Sequence, residues 1–264
     1  MLQGKIGITV ARNLRGSGAL EQAKAWTQSL GAVYVERPHN KTLPEVMAEQ
    51  GLAALVVLEK DGPRIHSAAG TFAYHAGMAV LRIEQLVQGG KDHFLNALGV
   101  GEGGRVLDCT LGLASDAAVA SWAVGAGGTV VGVEASSLLH FAVDYGLKHY
   151  VTKWPVLDEA LRRIKAVQMT AEAYLCQCTP DSFDVVYFDP MFRHPVQGSK
   201  AMEALRPLSL EEPLSPQAVE LALKAAPKVV IKERSEYILR EYGCTEFVGG
   251  KYSRVKFGII RRQQ

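Results

Sequence analysis

Residues 105–116 read RVLDCTLGLASD, and the class of fold can be inferred from them. A short apolar strand ends on Asp108, Gly112 follows in a brief loop, and small apolar residues resume from Ser115. Glycine lets the backbone turn tightly and approach a ligand that a Cβ atom would exclude. A strand that turns through glycine into a helix is typical of the first unit of a doubly wound sheet, whose ligands lie beyond the carboxyl ends of the strands.

The sequence on the carboxyl side of this stretch repeats the alternation of strand and helix. It predicts a second strand that ends on Glu134, a further strand that runs into Asp189, and helices between the strands. Such alternation favours a mostly parallel sheet. The last two predicted strands have no long helix between them, which indicates an antiparallel hairpin at one edge. The predicted strands are Arg105–Asp108, Thr129–Glu134, Ala166–Met169, Asp184–Asp189, Lys228–Lys232, Thr245–Val248 and Arg254–Ile260.

The sequence on the amino side of the stretch predicts a second, smaller α/β unit. Strand-like runs at Lys5–Val10, Ala32–Val35 and Ala54–Leu58 alternate with helical stretches near Leu20–Leu30 and Leu43–Gln50. A turn at 61–63 continues the chain into a further strand around residue 65, and residues 77–98 have helical spacing that suggests a bridge. We therefore predict a small domain over 1–75 and a larger one over 76–264.

Composition restricts the class of protein. With 264 residues, 48% apolar and 21% charged, the chain is typical of a globular protein with a sizeable core. No apolar run approaches the roughly 20 residues of a membrane span, and no secretory signal is evident, so we expect a cytoplasmic protein without a membrane partner. The four cysteines lack the spacing of metal ligands, so no metal is expected. A net charge of +2 does not by itself indicate a nucleic-acid binder.

Three acids mark a nucleotide-type cofactor site. Asp108 and Glu134 end neighbouring predicted strands, and Asp116 opens the helix after Gly112. An acid at the end of the second strand commonly holds ribose hydroxyls, and an acid at the end of the first suits a cationic amine. An alternative interpretation treats Asp108 and Asp116 as ordinary acids at the start of a helix.

A second candidate site lies in the segment FDVVYFDPMF, residues 183–192. Pro190 fixes its own φ and biases Asp189 towards an extended conformation. The Asp189 carboxylate and the Pro190 carbonyl are then two acceptors suited to a planar amino group, and Phe192 offers a ring on which a base can stack. The alternative is a simple turn at the end of a strand.

Together these segments resemble the class I S-adenosylmethionine (SAM)-dependent methyltransferases, in particular the RsmJ family, which methylates the exocyclic amine of a guanine in 16S ribosomal RNA. The resemblance rests on 108–116, Glu134, DVVYFDPMF, the later VVIKERSEY and the closing GKYSRVKFGI. It implies a seven-stranded Rossmann-like methyltransferase sheet, SAM as cofactor, and ribosomal RNA or the small ribosomal subunit as partner. It also implies roles for individual residues. Asp189, Pro190 and Phe192 would be catalytic, and the cofactor would contact Asp108, Thr110, Gly112, Ser115, Asp116, Glu134, Ala135, Thr170, Ala171, Glu172 and Asp189.

Basic residues that follow the DPMF step are candidates for contacts with RNA phosphates. These are Arg193, His194 and Lys200. Two further hypotheses stay open at this point. One is a non-catalytic RNA-binding or assembly factor, which Ala114 and Ser115 favour because the family has glycine and arginine there. The other is a nicotinamide-dependent oxidoreductase, which the absence of a G-x-G-x-x-G fingerprint disfavours.

Overall fold

The computed structural model describes residues 4–14, 18–190, 213–250 and 253–263, and its contacts divide the chain into two compact units. In the first unit, a five-stranded sheet has the order β2-β1-β3-β4-β5. Strand β1 is parallel to β2 and β3, whereas β3, β4 and β5 are antiparallel. The elements are β1 (Lys5–Val10), a 3₁₀ turn (Arg12–Leu14), α1 (Ala19–Leu30), β2 (Val33–Tyr34), α2 (Leu43–Gln50), β3 (Leu52–Glu59), β4 (Gly62–Ser67) and β5 (Gly70–Ala73).

In the second unit, a seven-stranded sheet has the order β11-β12-β10-β9-β6-β7-β8. All neighbours are parallel except β12, which runs antiparallel to both β10 and β11. The elements from residue 77 onward are α3 (Gly77–Val87), α4 (His93–Leu98), β6 (Arg105–Asp108), α5 (Ser115–Val124), β7 (Thr129–Glu134), α6 (Ser137–His149), α7 (Pro155–Arg163), β8 (Ile164–Gln168), α8 (Ala171–Leu175), β9 (Val185–Phe188), α9 (Pro216–Ala225), β10 (Lys228–Glu233), α10 (Glu236–Glu241), β11 (Glu246–Val248) and β12 (Lys256–Arg261).

This topology confirms the predicted doubly wound, mostly parallel, seven-stranded sheet. The two closing strands form an antiparallel hairpin at one edge of the sheet, as predicted, with β11 as the edge strand and β12 between β11 and β10. Strand β12 is apolar enough for that inner position, with Phe257 and Ile259 buried. The strand order reverses between the parallel strands β6 and β9, because β7 and β8 lie on one side of β6 whereas β9 and β10 lie on the other. The carboxyl ends of these two strands are therefore the expected ligand crevice.

Helix α6 follows β7 in the chain, but its contacts assign it to the first unit. The ring of Trp26 meets the rings of Phe141 and Tyr145 edge-on, with centroids 4.9 Å and 5.6 Å apart. A Cβ atom on Gly146 would lie 2.1 Å from Cδ1 of Tyr74, so the absence of a side chain is what lets Tyr74 pack against the helix. The division of the chain at residue 75 as a domain boundary stays a prediction.

Candidate active site

The loop after β6 is held together by a buried carboxylate. Asp108 is only 2% exposed, and its Oδ1 accepts a hydrogen bond from the backbone N–H of Thr110 at 2.9 Å. Burial raises the pKa of Asp108 to about 7, and the negative charges of Asp116 and Asp189 add to that rise, while the Thr110 hydrogen bonds oppose it. This carboxyl group therefore changes its charge near neutral pH.

Thr110 links the ends of β6 and β9. Its hydroxyl donates to Asp108 Oδ1 at 3.3 Å and accepts the backbone N–H of Asp189 at 2.6 Å. A single side chain thus fixes the distance between the two strand ends at the point where strand order reverses. Pro190, the residue after Asp189, is buried. The first and the second candidate sites of the sequence are consequently one site.

Glu134 lies at the end of β7 and is 7% exposed. Its Oε2 accepts the backbone N–H of Gly112 at 3.2 Å, and Gly112 itself has φ +49°, a left-handed conformation that favours glycine. The glycine loop is therefore anchored to the second strand.

The loop keeps its turn at Ala114, where the resembled family has glycine. Ala114 is fully buried and adopts φ +58° and ψ +21°, and its backbone N–H donates to the carbonyl of Leu111 at 2.7 Å. A left-handed residue other than glycine costs about 1–2 kcal/mol. Ala114 therefore takes a left-handed conformation that favours glycine, directly before α5.

Asp116 accepts three side-chain donors. Tyr187 Oη donates to its Oδ2 at 2.8 Å, Lys232 Nζ donates to the same oxygen at 3.1 Å, and Arg82 forms an ion pair with Oδ1. Burial raises the pKa of Asp116, but the charges of Lys232 and Arg82 outweigh burial and bring the pKa below its ordinary value. Asp116 is therefore a charged centre that joins α5 to three other elements.

Asp189 faces the same lysine. Lys232 Nζ lies 2.7 Å from Asp189 Oδ2, and the Asp189 side chain is 29% exposed. Burial raises the pKa of Asp189, and Lys232 opposes the rise. On the other side, Arg82 pairs with Asp92 at 2.8 Å. The resulting ionic chain, Asp92–Arg82–Asp116–Lys232–Asp189, has three acids and two bases.

Other residues expected at the cofactor site have local structural partners. Thr170 caps α8 by accepting the Ala173 backbone N–H at 3.3 Å, and Glu172 accepts the Ser215 hydroxyl at 2.9 Å. The carbonyl of Ala135 accepts Gln168 Nε2 at 3.2 Å. Ala171 packs on the apolar core, and Ser115 is the partly buried first residue of α5. Their contact with a cofactor stays a prediction.

Several predicted residues lie outside the described part of the chain. These are Phe192, Arg193, His194 and Lys200. Within the described ranges no group of three or more His, Cys, Asp or Glu side chains could hold a metal ion. No helix among those ranges is long and apolar enough to cross a membrane.

Sequence reasoning missed Arg82, Tyr187 and Lys232. Lys232 had a usable signal, because it follows three apolar residues that are fully buried, Val229–Ile231, in a predicted strand. A lysine there must find a partner near the strand end. Tyr187 was interpreted only as part of an apolar run, although a buried tyrosine hydroxyl usually finds a hydrogen-bond partner. Arg82 gave no signal, since it reaches Asp116 across 34 residues of sequence.

The site has the donors and acceptors that SAM requires. Glu134 lies at the end of the second strand, the position at which an acid commonly holds ribose hydroxyls. The ionic chain has one more acid than bases, and Asp108 adds a further carboxylate, which suits the positive sulfonium and amino groups. Gly112 has no side chain, and among the described residues a Cβ atom there would meet only the Thr110 carbonyl oxygen, at 3.7 Å. When bound, SAM supplies a methyl group on a sulfonium.

Comparisons with known proteins point to the same cofactor. The family model described as "Putative SAM-dependent methyltransferase" matches residues 49–255. The uncharacterized protein YpiP of Bacillus subtilis is 36% identical over 213 residues, which cover 80% of this chain and 82% of YpiP. The ribosomal RNA small subunit methyltransferase J of Pseudomonas fluorescens is 26% identical over 231 residues, 71% of this chain and 87% of that enzyme.

A solved structure supports the fold. The crystal structure of a SAM-dependent methyltransferase from Neisseria gonorrhoeae superposes with a TM-score of 0.57 at 17% identity and covers 97% of this chain and 95% of its own. The family model spans most of the chain, and the loop, the strand-end acids and the sheet order fit the cofactor that gives the family its name. The chain therefore belongs to the family of SAM-dependent methyltransferases.

Proposed function

We propose that this enzyme methylates the exocyclic amine of a guanine in 16S ribosomal RNA. The observation that carries the proposal is the hydrogen bond that connects the two candidate sites. The backbone N–H of Asp189 donates to Thr110 Oγ1 at 2.6 Å, beside the loop assigned to SAM. An Asp-Pro step held beside the methyl donor suits the binding of a planar amino group. The similarity to the Pseudomonas fluorescens enzyme supports ribosomal RNA as the substrate class.

Methyl transfer here is an in-line displacement. The nitrogen lone pair attacks the methyl carbon, the carbon–sulfur bond breaks, and its electron pair stays on sulfur, which leaves S-adenosylhomocysteine. The nitrogen becomes positive and then loses its proton to water. Guanine's amine is a poor nucleophile because its lone pair is delocalised into the ring. Acceptors at Asp189 and Pro190 localise that lone pair and stabilise the developing positive charge.

The substrate base must be reached outside a helix. A paired guanine hides its amine, so the base is unpaired or extruded before transfer. In the proposal Phe192 stacks on the base, and Arg193, His194 and Lys200 contact phosphates. In the proposal, methylation takes place in the cytoplasm, on ribosomal RNA or on the small ribosomal subunit.

The proposal is tested first in cells and then in vitro. Nucleoside mass spectrometry of 16S ribosomal RNA from a deletion strain should show the loss of one methylated guanine, which the gene restores. Purified enzyme should methylate small subunits from that strain with labelled SAM. Unchanged nucleosides together with SAM binding would instead support a different acceptor. RNA binding without turnover would support the assembly-factor hypothesis.

Asp189→Ala tests the chemistry of the site. Removal of the acceptor should lower single-turnover methyl transfer at saturating SAM by about 10²–10³-fold, by analogy with other single electrostatic groups. SAM affinity should change much less, because Glu134 and the loop after β6 lie on other strands. Wild-type turnover by Asp189→Ala would show that this strand end is only a turn.

A further inference from the structure

Lys232 occupies a position where an unpaired lysine would be costly. It follows Val229, Val230 and Ile231, each fully buried, near the end of β10, and its own side chain is 21% exposed. Taking an ammonium out of water is expensive unless it is paired and hydrogen-bonded. Among the described residues, the lysine meets that requirement through two aspartates, Asp116 and Asp189.

The two aspartates hold the ammonium between two elements. Its Nζ lies 2.7 Å from Asp189 Oδ2 and 3.1 Å from Asp116 Oδ2. Strands β9 and β10 are parallel, with Ile231 beside Phe188, so the register brings Lys232 next to Asp189. Tyr187 Oη, 2.8 Å from the same oxygen of Asp116, and Arg82 fix Asp116 in turn. The ammonium is thus held by a carboxylate that is itself immobile.

Most other charges near Asp189 are negative. Asp116 on α5 and Glu233 on β10 act against its ionisation, and the buried Asp108 on β6 interacts with it as well. Among the described residues, Lys232 is the cation that contacts Asp189, and Arg82 on α3 acts through Asp116. Without Lys232, burial and these carboxylates would push the pKa of Asp189 further upward.

We propose that Lys232 is a positioning residue for methyl transfer, which fixes Oδ2 of Asp189 and leaves Oδ1 to accept a hydrogen bond from the acceptor amine. The inference rests on the proposed function, because it assigns the amine to Asp189. An ionised carboxylate accepts a hydrogen bond more strongly than a neutral carboxyl group. Because Oδ2 already binds Lys232, Asp189 acts as an acceptor, and the proton of the methylated nitrogen leaves to water.

The first test compares two lysines of the same strand. Lys232→Met should lower single-turnover methyl transfer on small subunits at pH 7 by about 10–100-fold with little change in SAM affinity. Because the pKa of Asp189 rises, the acidic limb of the pH–rate profile should move to higher pH, and the loss should shrink at pH 9. Lys232→Arg should recover part of the rate. Lys228→Met is the control, since Lys228 Nζ binds the carbonyl of Leu98 at 2.8 Å and has no described contact with Asp189.

A double-mutant cycle tests whether Lys232 acts through Asp189. In an Asp189→Asn background, Lys232→Met should cause no further loss of turnover. That double variant also removes both charges of the pair, so it avoids a lone buried carboxylate. A further tenfold loss would overturn the inference. If Lys232→Met unfolds, Lys232→Gln replaces it, and the same criteria apply.

A third measurement needs no RNA. Carbon-13 NMR titration of the Asp189 carboxyl group should show a higher midpoint in Lys232→Met than in the wild type, and no change in Lys228→Met. An unchanged midpoint overturns the role of Lys232 even if Asp189→Ala has lost turnover and the proposed function stands. If the midpoint is raised but the enzyme leaves ribosomal RNA unmethylated, the effect of Lys232 on the Asp189 charge stands and ribosomal RNA is rejected as the substrate.

Discussion

At the scale of single residues, Glu134 has two tasks, because it anchors the Gly112 N–H at 3.2 Å and is the expected partner of the ribose. Glu134→Ala should weaken SAM binding about 10–100-fold, the loss expected for about 1.5–3 kcal/mol of charge-assisted hydrogen bonding. Calorimetric titration measures this directly. Glu134→Gln keeps an acceptor for Gly112 and should lose less affinity, and Glu49→Ala, whose partner is the exposed Lys41, should lose none. Unchanged affinity in a folded Glu134→Ala protein would contradict the assignment.

Asp108 gives a pH-dependent prediction. Its pKa is about 7 in the folded protein against an ordinary value of 3.8, so the folded state keeps a proton that the unfolded chain has lost between those pH values. The wild-type protein therefore loses stability from this group as pH rises from about 4 to about 7. Asp108→Asn keeps the acceptor for Thr110 without the charge. Relative to wild type, it should gain about 2 kcal/mol more at pH 8 than at pH 5.5.

Urea unfolding at the two pH values measures the difference. A gain that is the same at pH 5.5 and pH 8 would show that Asp108 does not titrate in this range. The variant should also bind SAM more weakly at pH 8, since a carboxylate there suits a cationic amine. Better folding and poorer binding from one substitution is the pattern expected of a functional acid in a buried position.

At the scale of elements, Asp92 joins two helices. It caps α4 by accepting the Leu95 N–H at 3.1 Å, and it binds Arg82 of α3 at 2.8 Å with its side chain 11% exposed. Asp92→Ala should lower the free energy of unfolding by about 2–4 kcal/mol, because it removes a cap and leaves Asp116 as the one described carboxylate that pairs with Arg82. Asp144→Ala, whose partner Lys148 is exposed, should change it by less than about 0.5 kcal/mol. Equal losses in the two variants would contradict this role for Asp92.

The same scale shows what the sequence can and cannot predict. Strands β6 and β7 and helix α5 begin and end where the sequence predicts, because apolar runs end there on an acid or a glycine. Helix α7 was missed. It is only nine residues long, and three buried residues, Leu157, Ala160 and Leu161, define its inner face. Such a short apolar stripe next to the basic residues Arg162 and Arg163 gives only a weak helical pattern. Strand β8 begins two residues earlier than predicted.

Within the candidate site, the sequence predicted the acids that lie at the ends of strands. Asp108, Glu134 and Asp189 were found because each follows an apolar strand, and the structure places Asp108 and Asp189 on either side of Thr110. The ionic partners of these acids could not be found in the same way. Arg82 and Lys232 meet Asp116 across 34 and 116 residues of sequence, and only the folded sheet brings them together.

At the scale of the whole molecule, the first unit depends on a helix that is distant in sequence. Gly62 and Tyr74 pack against Tyr145 and Gly146 of α6, and Trp26 stacks edge-on against the same helix. A fragment of residues 1–75 should therefore lack fixed tertiary structure. The same fragment fused through a flexible linker to residues 136–149 should show dispersed amide NMR signals and a cooperative thermal transition. A cooperative transition in the shorter fragment would show that its sheet is sufficient.

The position of α6 also has a consequence for the order of events during translation. Strands β1 to β5 leave the ribosome first, but the helix that packs on Gly62 and Tyr74 is synthesised only after β6 and β7. Until then the indole of Trp26 and the ring of Tyr74 lack their aromatic and glycine partners and are open to chaperones. The amino-terminal unit, although it comes first in the chain, therefore cannot be the first to finish folding.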